Sequence, residues 1–386
     1  MKIPFFKFEC SQAEIDQVTS VLESGWLTTA KKASELEAAF KQRCHTDHAL
    51  AVNSCTAGLH LALEAIGVNA GDKVVVPSLT FTASAEVIRY LGADPVFVDV
   101  DESTQLITRA AIEAAVAEYG DIKAVVAVHF GGQSVELVGA NGVWDYCKEQ
   151  GIKLVLDAAH AFPAFDSYGP VGSVGDVTCF SFYANKTMTT GEGGMVVTND
   201  EAIAARIKTM RLHGINRDIW DRFTKANASW EYDVVAPGFK YNMPDVNAAI
   251  GLAQLERVDL FREQRQACAE YYLAQLSDID CIQLPQARVP MAHHSWHLFP
   301  IVVKPTAPIN RDQLISALNE SGVGTSVHYK PLHRMTYYKE KYQLDPASFP
   351  VTERYWQGCL SLPIYPGMTT EQLAYVVQVI RANLKP

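Results

Sequence analysis

The most informative part of the chain is Ser-Phe-Tyr-Ala-Asn-Lys at 181–186, followed by Thr-Met-Thr-Thr-Gly-Glu-Gly-Gly at 187–194. An apolar strand is predicted over 177–182, and it leads into Lys186. The glycine-rich turn that follows lets the backbone approach the lysine closely. An amine held at a strand end suits a Schiff base with an aldehyde cofactor. The alternative interpretation is a solvated lysine in a hairpin loop.

A second candidate residue is Asp157, which ends the apolar run Lys-Leu-Val-Leu-Asp at 153–157. Ligands of open α/β sheets bind at the carboxyl ends of the strands. An aspartate at such a position can pair with the protonated pyridine nitrogen of pyridoxal 5'-phosphate (PLP). The alternatives are that Asp157 is the N-cap of a helix and that His160 is a polar residue on the following turn.

A third candidate lies at 51–63, where a predicted strand meets a turn of small residues that opens an apolar-faced helix. Backbone N–H groups and hydroxyls at a helix N-terminus bind phosphate. An ordinary capped helix is the other interpretation, and the two are compatible. A phosphate site, an aspartate and a strand-end lysine in this order together predict a PLP enzyme.

The chain also resembles a known family over nearly its whole length, and many separate motifs carry the resemblance. The motifs lie at 24–29, 53–63, 77–81, 157–161, 172–176, 181–194, 213–214, 237–243, 324–329 and 360–368. They are similar to those of the DegT-type nucleotide-sugar aminotransferases, PLP enzymes with the aspartate-aminotransferase fold (fold type I). Within this family the chain looks most like the group that aminates C4 of the sugar.

The resemblance implies roles for individual residues. Lys186 and Asp157 are the implied catalytic residues. The implied cofactor-binding residues are Thr56, Ala57 and Ser181 at the phosphate, Phe81 stacked on the pyridine ring, His160 near its 3-hydroxyl, and Asn242 reaching the phosphate from the neighbouring subunit. For Phe81, an ordinary core position is the alternative. The implied substrate-binding residues are Thr28, Thr29, Lys32, His328 and Tyr329.

The implied reaction moves an amino group from L-glutamate, which leaves as 2-oxoglutarate, to the keto carbon of a UDP- or dTDP-linked ketosugar. The amino sugar would serve bacterial surface polysaccharide such as lipopolysaccharide O-antigen, and the enzyme would be a homodimer with shared active sites. The alternatives are a PLP sugar dehydratase, a non-catalytic regulatory or binding protein on the same scaffold, and an amino-acid lyase or other transferase of this fold. The dehydratases replace the lysine with histidine, whereas Lys186 is intact.

The hydrophobic pattern predicts an α/β fold with a mostly parallel, seven-stranded sheet and helices on both faces, because buried β-branched runs alternate with helical stretches. The strands are predicted at 49–52, 73–76, 95–98, 123–128, 153–156, 177–182 and 195–198. The short link between the last two predicts one antiparallel member. No G-x-G-x-x-G follows a strand, which disfavours a nicotinamide enzyme. We predict a large PLP-binding domain over 1–245 and a smaller C-terminal α+β domain over 246–386. The smaller domain should contain strands near 297–303 and 325–329 and helices at 311–320 and 369–383.

Composition limits the remaining possibilities. A net charge of −10 disfavours a broad nucleic-acid surface. Eight scattered cysteines fit a reducing compartment. The N-terminus does not resemble a signal peptide, and no apolar run reaches membrane-spanning length, so we expect a soluble, cytoplasmic protein. No metal site is expected, since the histidines at 293, 294 and 297 have no zinc-binding pattern.

Overall fold

Seven strands form the central sheet in the computed structural model, which describes residues 1–216 and 232–385. All described strands, in chain order, are β1 (His48–Val52), β2 (Lys73–Pro77), β3 (Asp94–Val98), β4 (Ala124–Val128), β5 (Lys153–Asp157), β6 (Phe165–Asp166), β7 (Gly169–Pro170), β8 (Val177–Ser181), β9 (Gly194–Thr198), β10 (Ile282–Gln283), β11 (Phe299–Val303) and β12 (Cys359–Leu362). The order in the central sheet is β1-β9-β8-β5-β4-β2-β3. All seven predicted strands are confirmed, and each differs from its predicted bounds by one residue at one end.

Strand β9 is the one antiparallel member of this sheet, as predicted. It pairs antiparallel with both of its neighbours, β1 and β8, while the other pairs are parallel. The strands are buried on both faces, which is why they consist of continuous apolar runs such as Val74–Val76. Parallel strands bring their carboxyl ends to one edge of the sheet, and the segments that follow β4, β5 and β8 therefore lie near one another.

The helices cover the two faces of this sheet and build the rest of the molecule. In the described part of the chain they are α1 (Gln12–Ser24), α2 (Lys31–Cys44), α3 (Cys55–Ala65), α4 (Ala83–Tyr90), α5 (Arg109–Tyr119), α6 (Val143–Gln150), α7 (Glu201–Met210), α8 (Asp245–Leu276), α9 (Arg311–Glu320), α10 (Thr336–Tyr342), α11 (Pro350–Gly358) and α12 (Thr370–Leu384). The fold is the predicted α/β class. No helix among the described residues is long and apolar enough to cross a membrane.

A second core forms around a small antiparallel sheet of β10, β11 and β12, with helices α9 and α12 packed on it. The strand predicted near 325–329 is wrong, because only Ser326 makes a single bridge, to Ser361 in β12. Beyond Ser326 the contact with β12 continues through a side chain, since His328 Nδ1 lies 2.9 Å from the Ser361 hydroxyl oxygen, and residues 328 and 329 line the main cavity. The sequence interpretation missed β12, α10 and α11.

The predicted domain division at 245/246 stays a prediction. It is favoured by helix α8, which begins at Asp245, packs along α1 and α2, and ends with Cys268–Leu276 inside the second core. The N-terminus also reaches this second core: Ile3 is buried there and bridges to Val323.

Candidate active site

A cavity of about 470 Å³ opens at the carboxyl edge of the central sheet. Its wall includes the last residues of three neighbouring strands, namely Val128 of β4, Asp157 of β5 and Ser181 of β8. Six further residues that the sequence predicted for the site also line it: Thr56, Phe81, His160, Lys186, His328 and Tyr329. The cavity lies where open α/β sheets bind ligands, and its size suits a cofactor together with part of a substrate.

Lys186 projects from the turn that joins β8 to β9. The turn is closed by hydrogen bonds from the Lys186 N–H to the carbonyl of Tyr183 (2.9 Å) and from the Thr190 N–H to the carbonyl of Phe182 (2.9 Å). Burial lowers the pKa of the Lys186 amine to about 8, although the carboxylate of Asp157 acts in the opposite direction. The amine can therefore gain and lose a proton near neutral pH.

Glycine is required where this turn returns to the sheet. A Cβ on Gly194 would lie 2.8 Å from the backbone nitrogen of Cys55 and from the carbonyl oxygen of Phe180. The absence of a side chain thus lets the start of β9 pass directly beside the turn that opens α3. This close passage brings the lysine turn and the predicted phosphate turn to the same cavity.

Asp157 is buried at the base of the cavity. Its Oδ2 accepts a hydrogen bond from the Ser84 hydroxyl (2.7 Å), and its Oδ1 accepts one from the Ala159 N–H (3.1 Å). Burial raises the pKa of Asp157, and these hydrogen bonds and Lys186 only partly oppose the shift. A cationic group next to this carboxylate would lower its pKa again, and a protonated pyridine nitrogen is such a group.

The turn at the start of α3 presents small polar residues to the cavity. The Ser54 side chain caps the helix and accepts a hydrogen bond from the Ala57 N–H (3.1 Å), while Cys55 and Thr56 line the cavity itself. Ala57 is buried and does not line it. The Ala57 N–H already donates to the Ser54 side chain, and the predicted contact of Ala57 with a phosphate stays a prediction.

His160 and Tyr329 form a hydrogen-bonded pair across the cavity. The Nδ1 of His160 accepts a hydrogen bond from the Gly131 N–H (3.3 Å), so the ring proton lies on Nε2, which is 3.0 Å from the Tyr329 hydroxyl oxygen. Burial holds the pKa of His160 well below its usual value. The neutral imidazole donates to the tyrosine oxygen, and the tyrosine O–H remains available to another acceptor.

Phe81 is exposed at the cavity and is not a core residue. Its side chain is 57% exposed, and its ring centroid lies 5.9 Å from that of Tyr329. Of the two interpretations of this residue, the structure therefore supports an aromatic face that is open to a ligand.

The other predicted residues lie away from this cavity within the single chain. Asn242 donates a hydrogen bond to the Thr29 hydroxyl, which in turn donates to the carbonyl of Met243. Lys32 donates to the side chain of Gln17 (2.8 Å). Thr28 is not part of the cavity wall. The predicted role of Asn242 needs a second subunit, and the predicted roles of all four residues stay predictions.

The sequence interpretation missed two residues that touch the central pair. Ser84, in the first turn of α4, donates to Asp157, and the strand-end rule applied to β2 could have found it. His297 is 5% exposed, and its Nε2 lies 3.5 Å from the Lys186 Nζ. The neighbouring His294 instead stacks on Trp296, with ring centroids 4.0 Å apart. Among the described residues, no group of three potential ligands could hold a metal ion.

The residues that are present fit PLP. A buried carboxylate with a raised pKa, a lysine and a helix N-terminus with small side chains all line the same cavity. A parallel sheet with this lysine and this aspartate at strand ends defines the class of fold type I PLP enzymes.

The chain belongs to the DegT/DnrJ/EryC1/StrS aminotransferase family, whose sequence profile matches residues 9–381. The spore coat polysaccharide biosynthesis protein SpsC of Bacillus subtilis (strain 168) is 41% identical over 378 residues, which cover 96% of this chain and 94% of SpsC. The family assignment confirms the predicted enzyme class: a PLP-dependent sugar aminotransferase.

Solved structures agree with this assignment. Spr1654 of Streptococcus pneumoniae, solved in a PLP form, superposes with a TM-score of 0.88 and 30% identity and covers 99% of this chain and 98% of its own. PseC of Helicobacter pylori, an aminotransferase involved in the biosynthesis of pseudoaminic acid, gives a TM-score of 0.90 with 25% identity and full coverage of both chains. The predicted fold type and the predicted cofactor are thereby confirmed.

Proposed function

We propose that this enzyme transfers the amino group of L-glutamate to C4 of a UDP- or dTDP-linked ketosugar, and that the product serves a surface polysaccharide. The observation that carries the proposal is that the Lys186 amine and the buried Asp157 carboxylate line one cavity and interact electrostatically. An intact lysine favours amino transfer over the dehydratase alternative. The polysaccharide setting is supported by the function named for SpsC, and the choice of C4 rests on the resemblance described above.

Lys186 is the residue that moves the proton. PLP, when bound, supplies a conjugated ring that accepts the electron pair left on the donor's α-carbon. The Lys186 Nζ would take the proton from that carbon and deliver it to C4′, the former aldehyde carbon of the cofactor. An amine with a pKa of about 8 is suited to both steps, because general acid–base catalysis works best when the pKa lies near the working pH.

The residues around the lysine hold the reacting groups in place. Asp157 keeps a proton on the ring nitrogen, and Ser84 orients its carboxylate. Thr56 and Ser181 face the side of the cavity where the helix N-terminus favours a phosphate. The Tyr329 hydroxyl, oriented by His160, donates toward an oxygen of the cofactor or the sugar.

The position of amination can be tested with a panel of UDP- and dTDP-linked 4-keto and 3-keto sugars, each incubated with L-glutamate. We expect a 4-keto-6-deoxy sugar or a 4-keto pentose to be converted, with nitrogen on C4 in the NMR spectrum of the product. L-Alanine as the donor is the matched control for glutamate. Amination at C3 with untouched 4-keto sugars would refute the choice of C4 and leave the family assignment intact.

We also propose that the active site is shared between the two subunits of a homodimer. Within one chain, the segment 238–243 lies against the end of β1, and Asn242 contacts Thr29 outside the main cavity. Two-fold symmetry would place each Asn242 at the partner's site. A turn residue that serves its own chain is the competing interpretation, and the contact with Thr29 is compatible with both.

A mixing experiment separates these interpretations. Lys186→Ala and Asn242→Ala are prepared separately, each is shown to be strongly impaired, and equal amounts are refolded together. If the site is shared, a mixed dimer has one site with both defects and one with neither. Random pairing makes about half of the dimers mixed, so about a quarter of wild-type activity should return. No activity above the sum of the two variants means that Asn242 serves its own chain.

A further inference from the structure

Arg265 is a buried cation in the middle of α8 that the reaction described above does not use. Its side chain is 2% exposed, and no carboxylate pairs with it among residues 1–216 and 232–385. Its Nη1 donates to the carbonyls of Ile364 (2.8 Å), Trp296 (3.3 Å) and His297 (3.3 Å). Burying an arginine without a counter-ion is costly, and burial lowers its pKa to about 10. Such a group is a candidate for a functional role.

A small cavity of about 20 Å³ lies between Arg265 and the lysine turn. Asn185, Lys186 and Thr187 are on its wall. Three wall residues carry buried polar atoms that no described residue satisfies: Arg265 Nε, Asn185 Oδ1 and Thr187 Oγ1. The volume is enough for one water molecule. A water bound there would accept a hydrogen bond from the arginine and donate hydrogen bonds to the asparagine and the threonine.

Arg265 is also connected to Lys186 through His297. The carbonyl of His297 accepts a hydrogen bond from Arg265, and its imidazole Nε2 is 3.5 Å from the Lys186 Nζ. The same imidazole packs on His160, with centroids 4.5 Å apart. The second core therefore contacts the lysine along two routes, one through the small cavity and one through His297.

We propose that Arg265 binds one buried water behind Lys186 and, through this water and His297, positions the lysine amine for its proton transfers. The proposal rests on the proposed role of Lys186. Arg265 does not line the main cavity, so in this proposal it is a positioning residue, and the ligand of the small cavity is water.

The electrostatic surroundings of Lys186 give this proposal a measurable consequence. The titratable and charged groups that act on the amine come from several elements, and they are Asp157, Cys55, Arg265, His160, His297 and His328. Lys7 and Glu9 also lie on the wall of the small cavity, and Glu192 lies on the wall of the main one. Burial keeps the pKa values of the three histidines low, so near neutral pH Arg265 is the buried cation that acts on the amine. A like charge disfavours the protonated form, and removing it should raise the pKa of Lys186.

The test measures the reactivity of Lys186 in the full-length enzyme freed of cofactor. Reductive methylation with formaldehyde is followed against pH, and the peptide that contains Lys186 is quantified by mass spectrometry. In the wild type we expect half-maximal reactivity near the pKa of about 8 and a tenfold fall for each pH unit below it. In Arg265→Met the midpoint should move to higher pH. Arg265→Lys, which keeps the charge, should stay near the wild type.

A matched control lies one turn earlier on the same helix. Arg262 also donates to a main-chain carbonyl, that of Ala292, but it does not line the small cavity. Arg262→Met should leave the midpoint unchanged. In the holoenzyme, Arg265→Met should lower kcat roughly 10- to 100-fold with little change in KM. A displaced amine is poorly aligned with the reacting carbon, whereas the contacts that bind the substrate are unchanged. The same midpoint and kcat for Arg265→Met and Arg262→Met would overturn the proposal.

A second variant pair keeps the water testable if Arg265→Met does not fold. Thr187→Val preserves the shape of the side chain and removes one partner of the water, and it should lower kcat about fivefold with an unchanged melting temperature. Thr187→Ser should restore kcat. If Thr187→Val has wild-type kcat, the water does not help to position the Lys186 amine. The reactivity of Lys186 is measured on its own peptide and does not depend on turnover. A failure of the proposal for Arg265 can therefore be told apart from a failure of the proposed role of Lys186.

Discussion

Replacing Lys186 with alanine should lower the turnover rate by several orders of magnitude while the enzyme still binds PLP non-covalently. The variant loses both the amine that attaches the cofactor and the group that carries the proton. The cavity, its helix N-terminus and Asp157 remain, so the affinity for the cofactor should fall much less than the rate. Single-turnover kinetics with L-glutamate, followed by cofactor absorbance, measure the loss.

Borohydride reduction of the wild type supplies an independent measurement of the same prediction. It should fix the cofactor to one peptide, the one that contains Lys186. Lys153→Ala is the matched control, since Lys153 begins β5 and pairs with Asp176 (2.8 Å) away from the cavity. That variant should turn over normally. A label on another peptide, or near-normal turnover of Lys186→Ala, would remove Lys186 from the mechanism.

Replacing Asp157 with asparagine should slow the half-reaction with L-glutamate by about two orders of magnitude or more while the cofactor stays bound. The change keeps the shape of the side chain and the acceptor for the Ala159 N–H, but it removes the charge that holds a proton on the ring nitrogen. Without that proton the ring is a poor acceptor of electrons. Stopped-flow absorbance gives the rate of the half-reaction.

Ser84→Ala separates the charge of Asp157 from its orientation. This variant removes the 2.7 Å hydrogen bond to Oδ2 and leaves the carboxylate charged, so we expect a loss of about tenfold at most. Asp157 also accepts the N–H of Ala159, as a structural cap would. If Asp157→Asn has an unchanged half-reaction, this capping contact is the main role of the residue.

Much of the fold could be predicted because the pattern of a buried parallel strand is local. Strands such as β4, with Ala-Val-Val-Ala-Val at 124–128, are covered on both faces, so their sequences are continuously apolar. The strand-end rule then placed Asp157 and Ser181 at one edge of the sheet, and Lys186 follows on the next turn. The strand predicted near 325–329 is absent, because a run of β-branched residues does not by itself provide a strand to pair with. Ser326 makes a single bridge.

The sequence by itself was enough to predict the order of the strands along the chain and the lysine and aspartate of the candidate site, because these depend on short stretches of backbone with a characteristic pattern. The class of enzyme followed from the family resemblance of many such stretches. The tertiary structure alone decided what surrounds the lysine. His297 lies 111 residues beyond Lys186, and Arg265 belongs to a helix shared by the two cores. Their contacts arise from the way the second core packs against the central sheet, and no local pattern specifies that packing.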